Sequence, residues 1–406
     1  MKTLYLFSNN YPYGHGETFL ADEVDYLAKV FDRVCVVPLW GDGEKRFVKC
    51  SNVVVKDPIL DFNPKKKAKL IGKGLFNTSS IPDVFHEIVS GRGEFSKRLW
   101  ITVTSALVTR CVLSSSVFRK TIEDICDHDI CYFYWGDMTA NALPFMKKSL
   151  KRSFKAIARF HGSDLYEEAK GYIPFRKQLL DALDVVCTIS KNGFDYLDGK
   201  YPTIHEKLYL SRLGSKDLGI EELSEHDEFR ILSCSNIVEI KRLDLLANAL
   251  RLIDDRKISW THIGDGPLKT KIMELTRTFP NNIRVDFMGQ MKHDALLNFV
   301  KKSSFDLFVN VSRSEGVPVS IMEAMSFGIP VIASDVGGTS EIVNGHSGIL
   351  FPKDITPEQL KSLLLKFSDF DEKTVLELRK SARVEWEKKW NMDSNYTSFA
   401  DFIANR

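Results

Sequence analysis

The chain has 406 residues, of which 44% are apolar and 27% charged, and its formal net charge is +2. This length is typical of two domains and this composition of a soluble globular protein, while the near balance of charge argues against a nucleic-acid-binding surface. Seven cysteines without a CxxC spacing favour a reducing cytoplasm. The apolar part of the N-terminal MKTLYLFSNNYP is too short for a signal peptide, and no apolar stretch reaches the length of a membrane span.

The start of the chain predicts parallel strands joined by a helix. Thr3 to Ser8 and Val34 to Leu39 are short apolar runs typical of buried strands, and Glu17 to Val30 has the apolar spacing of a helix. This order of strand, loop, helix and strand predicts a parallel α/β sheet. The loop from Asn9 to Gly16 lacks the GxGxxG pattern of dinucleotide-binding dehydrogenases, so that class is the least favoured.

Two stretches of the N-terminal half concentrate positive charge. Residues 64–74 read PKKKAKLIGKG, and residues 147–159 read KKSLKRSFKAIAR, with Leu150, Phe154 and Ile157 at helical spacing. Because a basic amphipathic helix binds an anionic membrane surface, we expect membrane contact at these two stretches. The alternative is a solvated helix face that covers an apolar core stripe.

A histidine and an aspartate follow the next predicted strands. Ile130 to Trp135 and Ala156 to Phe160 are apolar runs, and the second leads into a His-Gly-Ser-Asp sequence at positions 161–164. Ligands of parallel α/β sheets bind at the carboxyl ends of the strands, so His161 and Asp164 are candidate site residues. The alternative for His161 is a structural histidine that the backbone satisfies.

A polar segment separates this first α/β pattern from a second one. Ser215 to Asp227 is charged and poor in apolar residues, and we place the domain boundary there. The prediction is an N-terminal domain of residues 1–214 and a C-terminal domain of residues 215–390. The predicted strands of the second domain are Phe229–Ser235, Lys257–Gly264, Ile283–Met288, Leu307–Val311 and Val331–Ser334.

The most informative stretch runs from Arg313 to Val343. Two acids, Glu315 and Glu323, stand eight positions apart, and a helix is predicted from Pro318 to about Phe327. A helix N-terminus suits phosphate because its N–H groups lack partners and the helix dipole is positive there. Carboxylates repel phosphate but accept hydrogen bonds from sugar hydroxyls. Together these features predict a site for a nucleotide-sugar.

The sequence EGVPVSIMEAMSFGIPVIASDVGGTSEIV at positions 315–343 resembles the donor-binding signature of retaining glycosyltransferases of family 4. The resemblance implies the GT-B fold, in which two Rossmann-like doubly wound α/β domains face a cleft. It also implies that a last helix, residues 391–406, crosses back to the N-terminal domain. In that family the first Glu contacts the donor sugar and the second the ribose, roles that fall here on Glu315 and Glu323.

Further donor-binding roles follow from the same resemblance. Lys241 is expected to pair with the donor diphosphate, and Gly289, Gln290 and Met291 to lie against the nucleobase. The family usually has Gly-Arg where this chain has Ser235-Asn236, and Arg242 is the candidate to replace that arginine. The residues Gly316, Val317, Pro318 and Val319 at the start of the predicted helix are expected to fix the donor, through the backbone N–H groups of all but Pro318, whose nitrogen carries no hydrogen.

The resemblance also implies roles in the N-terminal domain. His161 is expected to face the transferred sugar, so that Glu315, His161 and Lys241 are the expected catalytic residues. Gly16 is expected to lie under donor and acceptor, and Gly14 and Asp164 to bind the acceptor; a plain turn is the alternative for the glycines. The fold generally works without a metal or cofactor, so the Asp-His-Asp triplet at positions 127–129 is interpreted as a turn.

The overall pattern is similar to that of bacterial enzymes that build O-antigen, capsule or exopolysaccharide. The expected reaction moves a hexose from a UDP-sugar, or from a GDP-sugar, to a lipid-linked saccharide. The expected location is the cytoplasmic face of the plasma membrane. Two alternatives remain open. One is a non-catalytic nucleotide-binding subunit, suggested by Ser235-Asn236, and the other is a nucleotide-sugar epimerase of the same fold.

Overall fold

The fold is that of a computed structural model, which describes residues 2–14, 16–60, 95–150, 152–167, 172–220 and 226–406. The chain divides into two compact units. The N-terminal unit consists of Met1–Ser211 with Tyr396–Arg406, and the C-terminal unit of Arg212–Asn395. Each unit contains one parallel sheet covered by helices, which confirms the predicted pair of Rossmann-like domains.

The sheet of the N-terminal unit has seven parallel strands within the described ranges, in the order β3-β2-β1-β4-β5-β6-β7. Every residue of the first strand is buried, which is why its sequence is a continuous apolar run rather than an alternating one. The strands are β1 Thr3–Ser8, β2 Arg33–Pro38, β3 Val53–Val55, β4 Ile130–Phe133, β5 Lys155–Phe160, β6 Val185–Thr188 and β7 Leu208–Leu210.

Helices form most of the connections between these parallel strands, whereas residues 39–52, between β2 and β3, contain no helix. Their bounds are α1 Thr18–Val30, α2 Phe95–Ser114, α3 Ser116–Asp124, α4 Leu143–Ser149, α5 Gly162–Leu165, α6 Arg176–Ala182 and α7 Lys191–Lys200, with 3₁₀ turns at Met138–Ala142 and Pro202–Lys207. Ser190 caps the start of α7, because the Gly193 N–H donates to Ser190 Oγ over 3.0 Å.

The sheet of the C-terminal unit has six parallel strands in the order β10-β9-β8-β11-β12-β13 among the residues described. The strands are β8 Phe229–Cys234, β9 Ile258–Ile263, β10 Ile283–Gly289, β11 Leu307–Asn310, β12 Val331–Ser334 and β13 Gly348–Phe351. The helices are α8 Leu243–Arg251, α9 Lys269–Thr276, α10 His293–Lys301, α11 Val319–Ser326, α12 Thr339–Ile342, α13 Pro357–Ser368, α14 Glu372–Lys389 and α15 Met392–Ala404, with a 3₁₀ turn at Glu239–Lys241.

The last helix, α15, ends in the N-terminal unit, as the resemblance implied. Its Phe399 ring lies 5.4 Å from the Tyr132 ring and 4.2 Å from the guanidinium carbon of Arg159, measured from ring centroids. Arg159 is fully buried and pairs with Glu23, which also accepts from the Tyr132 hydroxyl over 2.9 Å. These contacts stabilise α15 against the sheet.

The prediction of a basic amphipathic helix over residues 147–159 is wrong. The helix α4 ends at Ser149, and the strand β5 begins at Lys155. Arg159, one of the supposed exposed cations, is buried against Glu23 because β5 is a central strand of the sheet. Of the apolar residues whose spacing suggested a helix, Leu150 and Phe154 lie between α4 and β5, and Ile157 lies in β5.

The other basic stretch, residues 64–74, lies outside the described residues. Among those that are described, no single helix is both long and apolar enough to cross a bilayer. One pair of helices, Ser96–Ser114 and Ser116–Asp124, meets that test only when taken together across a bend of 64°.

Candidate active-site residues

The two predicted acids of the C-terminal unit lie on either side of the start of α11. Glu315 lies in the loop between β11 and α11, and its side chain is only 9% exposed. Its Oε1 atom accepts from Lys241 Nζ over 2.6 Å and from Asn310 Nδ2 over 3.2 Å. The structure therefore brings Glu315 and Lys241 together, and it adds Asn310, which sequence reasoning missed.

The loop at Glu315 depends on the glycine pair that follows β12. Gly337 has a φ of +55°, and a Cβ placed there would lie 1.9 Å from the carbonyl oxygen of Glu315. The Gly338 N–H donates to the carbonyl of Gly316 over 2.7 Å. A side chain at position 337 would therefore displace the Glu315 backbone, which gives a physical reason for the two glycines.

The helix α11 presents its N-terminus beside Glu315. Pro318 is the N-cap rather than the first helical residue, and no side chain of the described residues caps this end. The first N–H groups of a helix have no acceptor within it, and Val319 and Ser320 occupy these positions. Gly316 and Val317 form the approach to this end. An anion at this place would meet N–H donors and the positive end of the helix dipole.

Glu323 lies in the middle of α11, and its side chain is 12% exposed. Its Oε1 atom lies 2.6 Å from Nε2 of His293, the first residue of α10. The loop of Gly289, Gln290 and Met291 directly precedes this helix in sequence. His293 is a second residue that sequence reasoning missed, because its proximity to Glu323 comes from the packing of α10 and α11.

Arg242 does not join Lys241 at Glu315. Its backbone is left-handed, with a φ of +47°, and its guanidinium donates to the carbonyls of Val311 and Lys353 over 2.7 and 2.6 Å. Burial lowers the pKa of Arg242, with a smaller contribution from Arg313. Arg242 and Arg313 line a cavity of about 370 Å³ whose wall includes neither Glu315 nor Glu323.

In the N-terminal unit, His161 follows β5 and is buried between aromatic rings. Its ring centroid lies 4.8 Å from that of Tyr134 and 4.4 Å from that of Trp135. Neither ring nitrogen has a hydrogen-bond partner among the described residues. Burial, and then the charge of Arg159, hold the pKa of His161 well below its usual value of 6.5. His161 is therefore a neutral imidazole with free donor and acceptor capacity.

Asp164 is fully engaged by the backbone around it. Its two carboxylate oxygens accept from the N–H groups of Gly136 and His161, each over 2.6 Å. Burial and the nearby Asp137 raise the pKa of Asp164 to about 7, against the opposing effects of Arg176 and these two N–H groups. In this arrangement Asp164 fixes the backbone of His161 and Gly136, and its expected contact with an acceptor stays a prediction.

The two candidate glycines lie in the loop that follows β1. Gly14 has a φ of +64°, which favours glycine, and its N–H donates to the carbonyl of Glu44 over 3.0 Å. The carbonyl of Gly16 accepts from Arg46 Nη2 over 2.6 Å. Both glycines therefore belong to a loop that is hydrogen-bonded to the segment around Glu44 and Arg46. Glu17, which follows this loop, was not predicted as a site residue from the sequence.

The Asp-His-Asp triplet at 127–129 supports local structure. Asp127 accepts from the Ser153 N–H over 2.8 Å, and Asp129 accepts from the N–H groups of Thr3 and Cys126 over 2.9 and 2.8 Å. Over the part of the chain that the structure describes, there is no group of three or more His, Cys, Asp or Glu side chains arranged to hold a metal ion.

Comparison with known proteins shows what the C-terminal unit resembles. Residues 217–384 match the family model described as Glycosyl transferases group 1. This segment is therefore similar to group 1 glycosyltransferases. It contains Lys241, Glu315 and Glu323, so the local geometry described above lies within the matched segment. The N-terminal residues, His161 among them, lie outside it.

Curated proteins named as glycosyltransferases are similar to a longer part of the chain. MJ1178 of Methanocaldococcus jannaschii, described as an uncharacterized glycosyltransferase, is 31% identical over 59% of this chain and 66% of its own length. The O-antigen biosynthesis glycosyltransferase WbnH of Escherichia coli is 29% identical over 48% of this chain and 55% of its own. The matched region thus spans less than two thirds of each of these relatives.

A solved structure covers the whole chain. HepE of Anabaena, determined in complex with UDP, superposes with a TM-score of 0.66 over 100% of both chains at 16% identity. At this identity the likeness concerns the fold, and it agrees with the two parallel-sheet units. The chain has the two-domain GT-B fold.

Proposed function

We propose that the protein is a retaining glycosyltransferase that moves a hexose from a nucleotide-sugar to a lipid-linked saccharide. The observation that carries the proposal is the arrangement at α11. One nearly buried acid, Glu315, is paired with Lys241 just before a free helix N-terminus, and a second acid, Glu323, lies within the same helix. The match of residues 217–384 to group 1 glycosyltransferases supports it.

The chemistry of these groups suits cleavage of a sugar–phosphate bond. That bond breaks with its electron pair on the diphosphate oxygen, so negative charge develops on the leaving group. Lys241 and the N–H groups at the start of α11 stabilise this charge electrostatically. Glu315 accepts from hydroxyls of the sugar, and Glu323 accepts from the ribose.

Retention of the anomeric configuration needs no covalent nucleophile when the acceptor and the leaving group lie on the same face of the sugar. The acceptor hydroxyl then forms the new bond to the anomeric carbon and passes its proton to the departing phosphate oxygen. We assign His161 a hydrogen bond to the transferred sugar, because its imidazole is neutral and its ring nitrogens have no partner among the residues that the structure describes.

A UDP-sugar is the favoured donor, with a GDP-sugar as the other candidate. The support is that HepE has also been solved with UDP-glucose, at a TM-score of 0.63. A role in bacterial surface polysaccharide is supported by the name of WbnH, an O-antigen biosynthesis glycosyltransferase, and the lipid-linked acceptor is part of the proposal. No metal or cofactor is part of the proposal.

The proposed acceptor places the enzyme at the cytoplasmic face of the plasma membrane. Lys148, Arg152 and Lys155 are exposed cations that remain from the basic stretch after its helix is corrected. Replacing all three with glutamate should weaken binding to anionic phospholipid vesicles in a sedimentation assay. Each cation contributes about 1 kcal/mol at such a surface. Equal binding of the wild type and the variant would refute a role for these residues.

The experiment that tests the function supplies UDP-glucose, UDP-galactose and GDP-mannose in turn. Release of the nucleoside diphosphate is measured with and without an undecaprenyl-diphosphate-linked sugar. We expect one donor to be consumed faster when the acceptor is present, and the new linkage to keep the donor's anomeric configuration by NMR. A product of inverted configuration would refute retention.

One observation favours a second candidate, a nucleotide-binding subunit without catalysis. Asn236 stands where the family arginine is usual, and the Arg242 guanidinium is bonded to backbone carbonyls. The cluster at Glu315 therefore has Lys241 but not Arg242. Tight UDP binding with no donor consumed under any acceptor condition would support this candidate over the transferase.

A further inference from the structure

Glu17 occupies an unusual backbone conformation at the start of α1. Its φ of +52° and ψ of +42° are left-handed, a region that residues other than glycine rarely adopt. Such strain persists when surrounding contacts over-determine it. The consequence here is that the side chain turns back over the loop between β1 and α1.

The Glu17 carboxylate meets four N–H donors there. It accepts from the backbone N–H groups of Asn9, Asn10 and Tyr11 over 3.0, 2.7 and 2.6 Å. It also accepts from the indole N–H of Trp135 over 2.5 Å. One ionised side chain thus fixes three successive peptide groups of the loop and one ring from the segment after β4.

The far side of the same loop is also fixed. The Arg46 N–H donates to the Pro12 carbonyl over 2.9 Å, and the Arg46 guanidinium lies 5.1 Å from the centre of the Tyr11 ring. The loop is therefore held on one side by Glu17 and on the other by Arg46.

Trp135 connects this carboxylate to His161. The two rings have centroids 4.4 Å apart and planes inclined by 44°. Because the indole N–H is bonded to Glu17, the orientation of the Trp135 ring depends on that carboxylate. The position of the His161 ring depends in turn on Trp135.

We propose that Glu17 is a positioning residue, which sets the orientation of His161 through Trp135 and fixes the Asn9–Gly14 loop with the same carboxylate. The catalytic part of the inference rests on the proposed function, in which His161 binds the transferred sugar and the loop binds the acceptor. The structural part concerns the N-terminal unit alone. The competing explanation is that Glu17 only supports the local fold of the loop and does not orient His161, since its side chain makes no capping hydrogen bond to α1.

The first arm of the test measures the two rings without any substrate. Protein containing 5-fluorotryptophan and ring-¹³C histidine is compared by NMR, with Trp135→Phe and His161→Gln used for assignment. In Glu17→Ala we expect the ¹⁹F resonance of Trp135 and the ¹³C resonance of the His161 ring both to move from their wild-type positions. Glu17→Gln keeps one accepting oxygen and should give smaller shifts, while Glu206→Ala, which removes an exposed glutamate of the same unit, should give none.

The second arm measures UDP release from UDP-glucose with the acceptor used above. If positioning is the role, Glu17→Ala lowers kcat by about 10–100-fold, the effect of a small displacement at a reacting centre, and Glu17→Gln recovers part of it. A variant whose thermal midpoint falls but whose Trp135 and His161 resonances are unchanged would overturn the proposal in favour of a purely structural role for Glu17. If the wild type consumes no donor, the proposed function fails, and the NMR arm still decides the role of Glu17.

Discussion

Replacing Glu315 with glutamine tests the ion pair at the centre of the proposed donor site. Glu315 Oε1 lies 2.6 Å from Lys241 Nζ and 3.2 Å from Asn310 Nδ2. Glutamine keeps the shape of the side chain and an oxygen for Asn310, but it removes the negative charge. Lys241 therefore loses its charged partner while the packing around it is preserved.

The cost to stability lies between two limits. Breaking a fully buried ion pair costs about 3–5 kcal/mol, whereas an exposed pair contributes about 0–1 kcal/mol. The side chain of Lys241 is 23% exposed, so water reaches its ammonium group. The loss of unfolding free energy should therefore be smaller than for a fully buried pair. We expect a loss of about 1–2 kcal/mol, which lowers the Tm of a unit of this size by about 2–8 °C.

Binding and turnover should change in different directions. The carboxylate of Glu315 repels a diphosphate and occupies Lys241, so Glu315→Gln should bind UDP as tightly as the wild type or up to about tenfold tighter. The rate of donor consumption should fall by about 10²–10³-fold, because the contact to the sugar hydroxyl is weakened. Glu274→Gln, the same change at an exposed position on α9, is the matched control.

Isothermal titration calorimetry with UDP and a UDP-release assay measure the two quantities. The reasoning is refuted if Glu315→Gln abolishes UDP binding, since the carboxylate would then support the diphosphate instead of opposing it. An unchanged turnover number would remove Glu315 from the mechanism.

Three further predictions concern other parts of the chain. Glu23→Gln leaves the fully buried Arg159 without a counter-charge, so urea denaturation should show a loss of about 3–5 kcal/mol, and a loss below 1 kcal/mol would contradict this. His293→Ala removes the 2.6 Å contact that orients Glu323 and should weaken UDP binding by about 3–10-fold in calorimetry; unchanged affinity would exclude that orienting role. Because the folded-state pKa of His161 lies below its unfolded value of 6.5, its contribution to stability is complete above pH 6.5 and is lost as the pH falls. Between pH 6.5 and 5, the His161→Gln variant should therefore lose less unfolding free energy than the wild type, by up to about 1.4 kcal/mol per pH unit. If urea denaturation gives the same pH dependence for both proteins, the lowered pKa of His161 is contradicted.

The strands were the most predictable part of the fold. Thr3–Ser8 and Val331–Ser334 have the bounds predicted from the sequence, because a parallel strand covered on both faces is a continuous apolar run. The edge strand Val53–Val55 was missed, since three half-exposed residues leave no such run. The edge strand Gly348–Phe351 was missed as well, because it is short and begins with a glycine.

The basic stretch shows where periodicity misleads. Residues 147–159 contain the end of one helix and most of a central strand. The apolar residues at helical spacing are two between these elements, Leu150 and Phe154, and one in the strand, Ile157. The pattern also treated Arg159 as a surface cation. Its partner Glu23 lies 136 positions away, so no local sequence pattern indicates that Arg159 is buried.

In the candidate site, too, the local features could be predicted from the sequence and the long-range contacts could not. Glu315 and Glu323 lie in one compact stretch, so spacing and turn residues were enough to single them out. Their partners come from distant parts of the chain, 74 positions away for Lys241 and 30 for His293. Glu17 was missed for a different reason. An acid at the start of a helix is usually a simple stabiliser of the helix dipole, and its left-handed backbone leaves no trace in the sequence.

Thermal unfolding with UDP, GDP and ADP, each at millimolar concentration, tests the proposed donor site most directly. A nucleotide at about 100 times its dissociation constant stabilises the folded state by about 2.7 kcal/mol, or about 5–11 °C for a unit of this size. We predict this shift with UDP for the wild type and its loss in Glu323→Ala. The absence of a shift with every nucleotide, or an equal shift in the Glu323→Ala variant, would contradict the donor site described here.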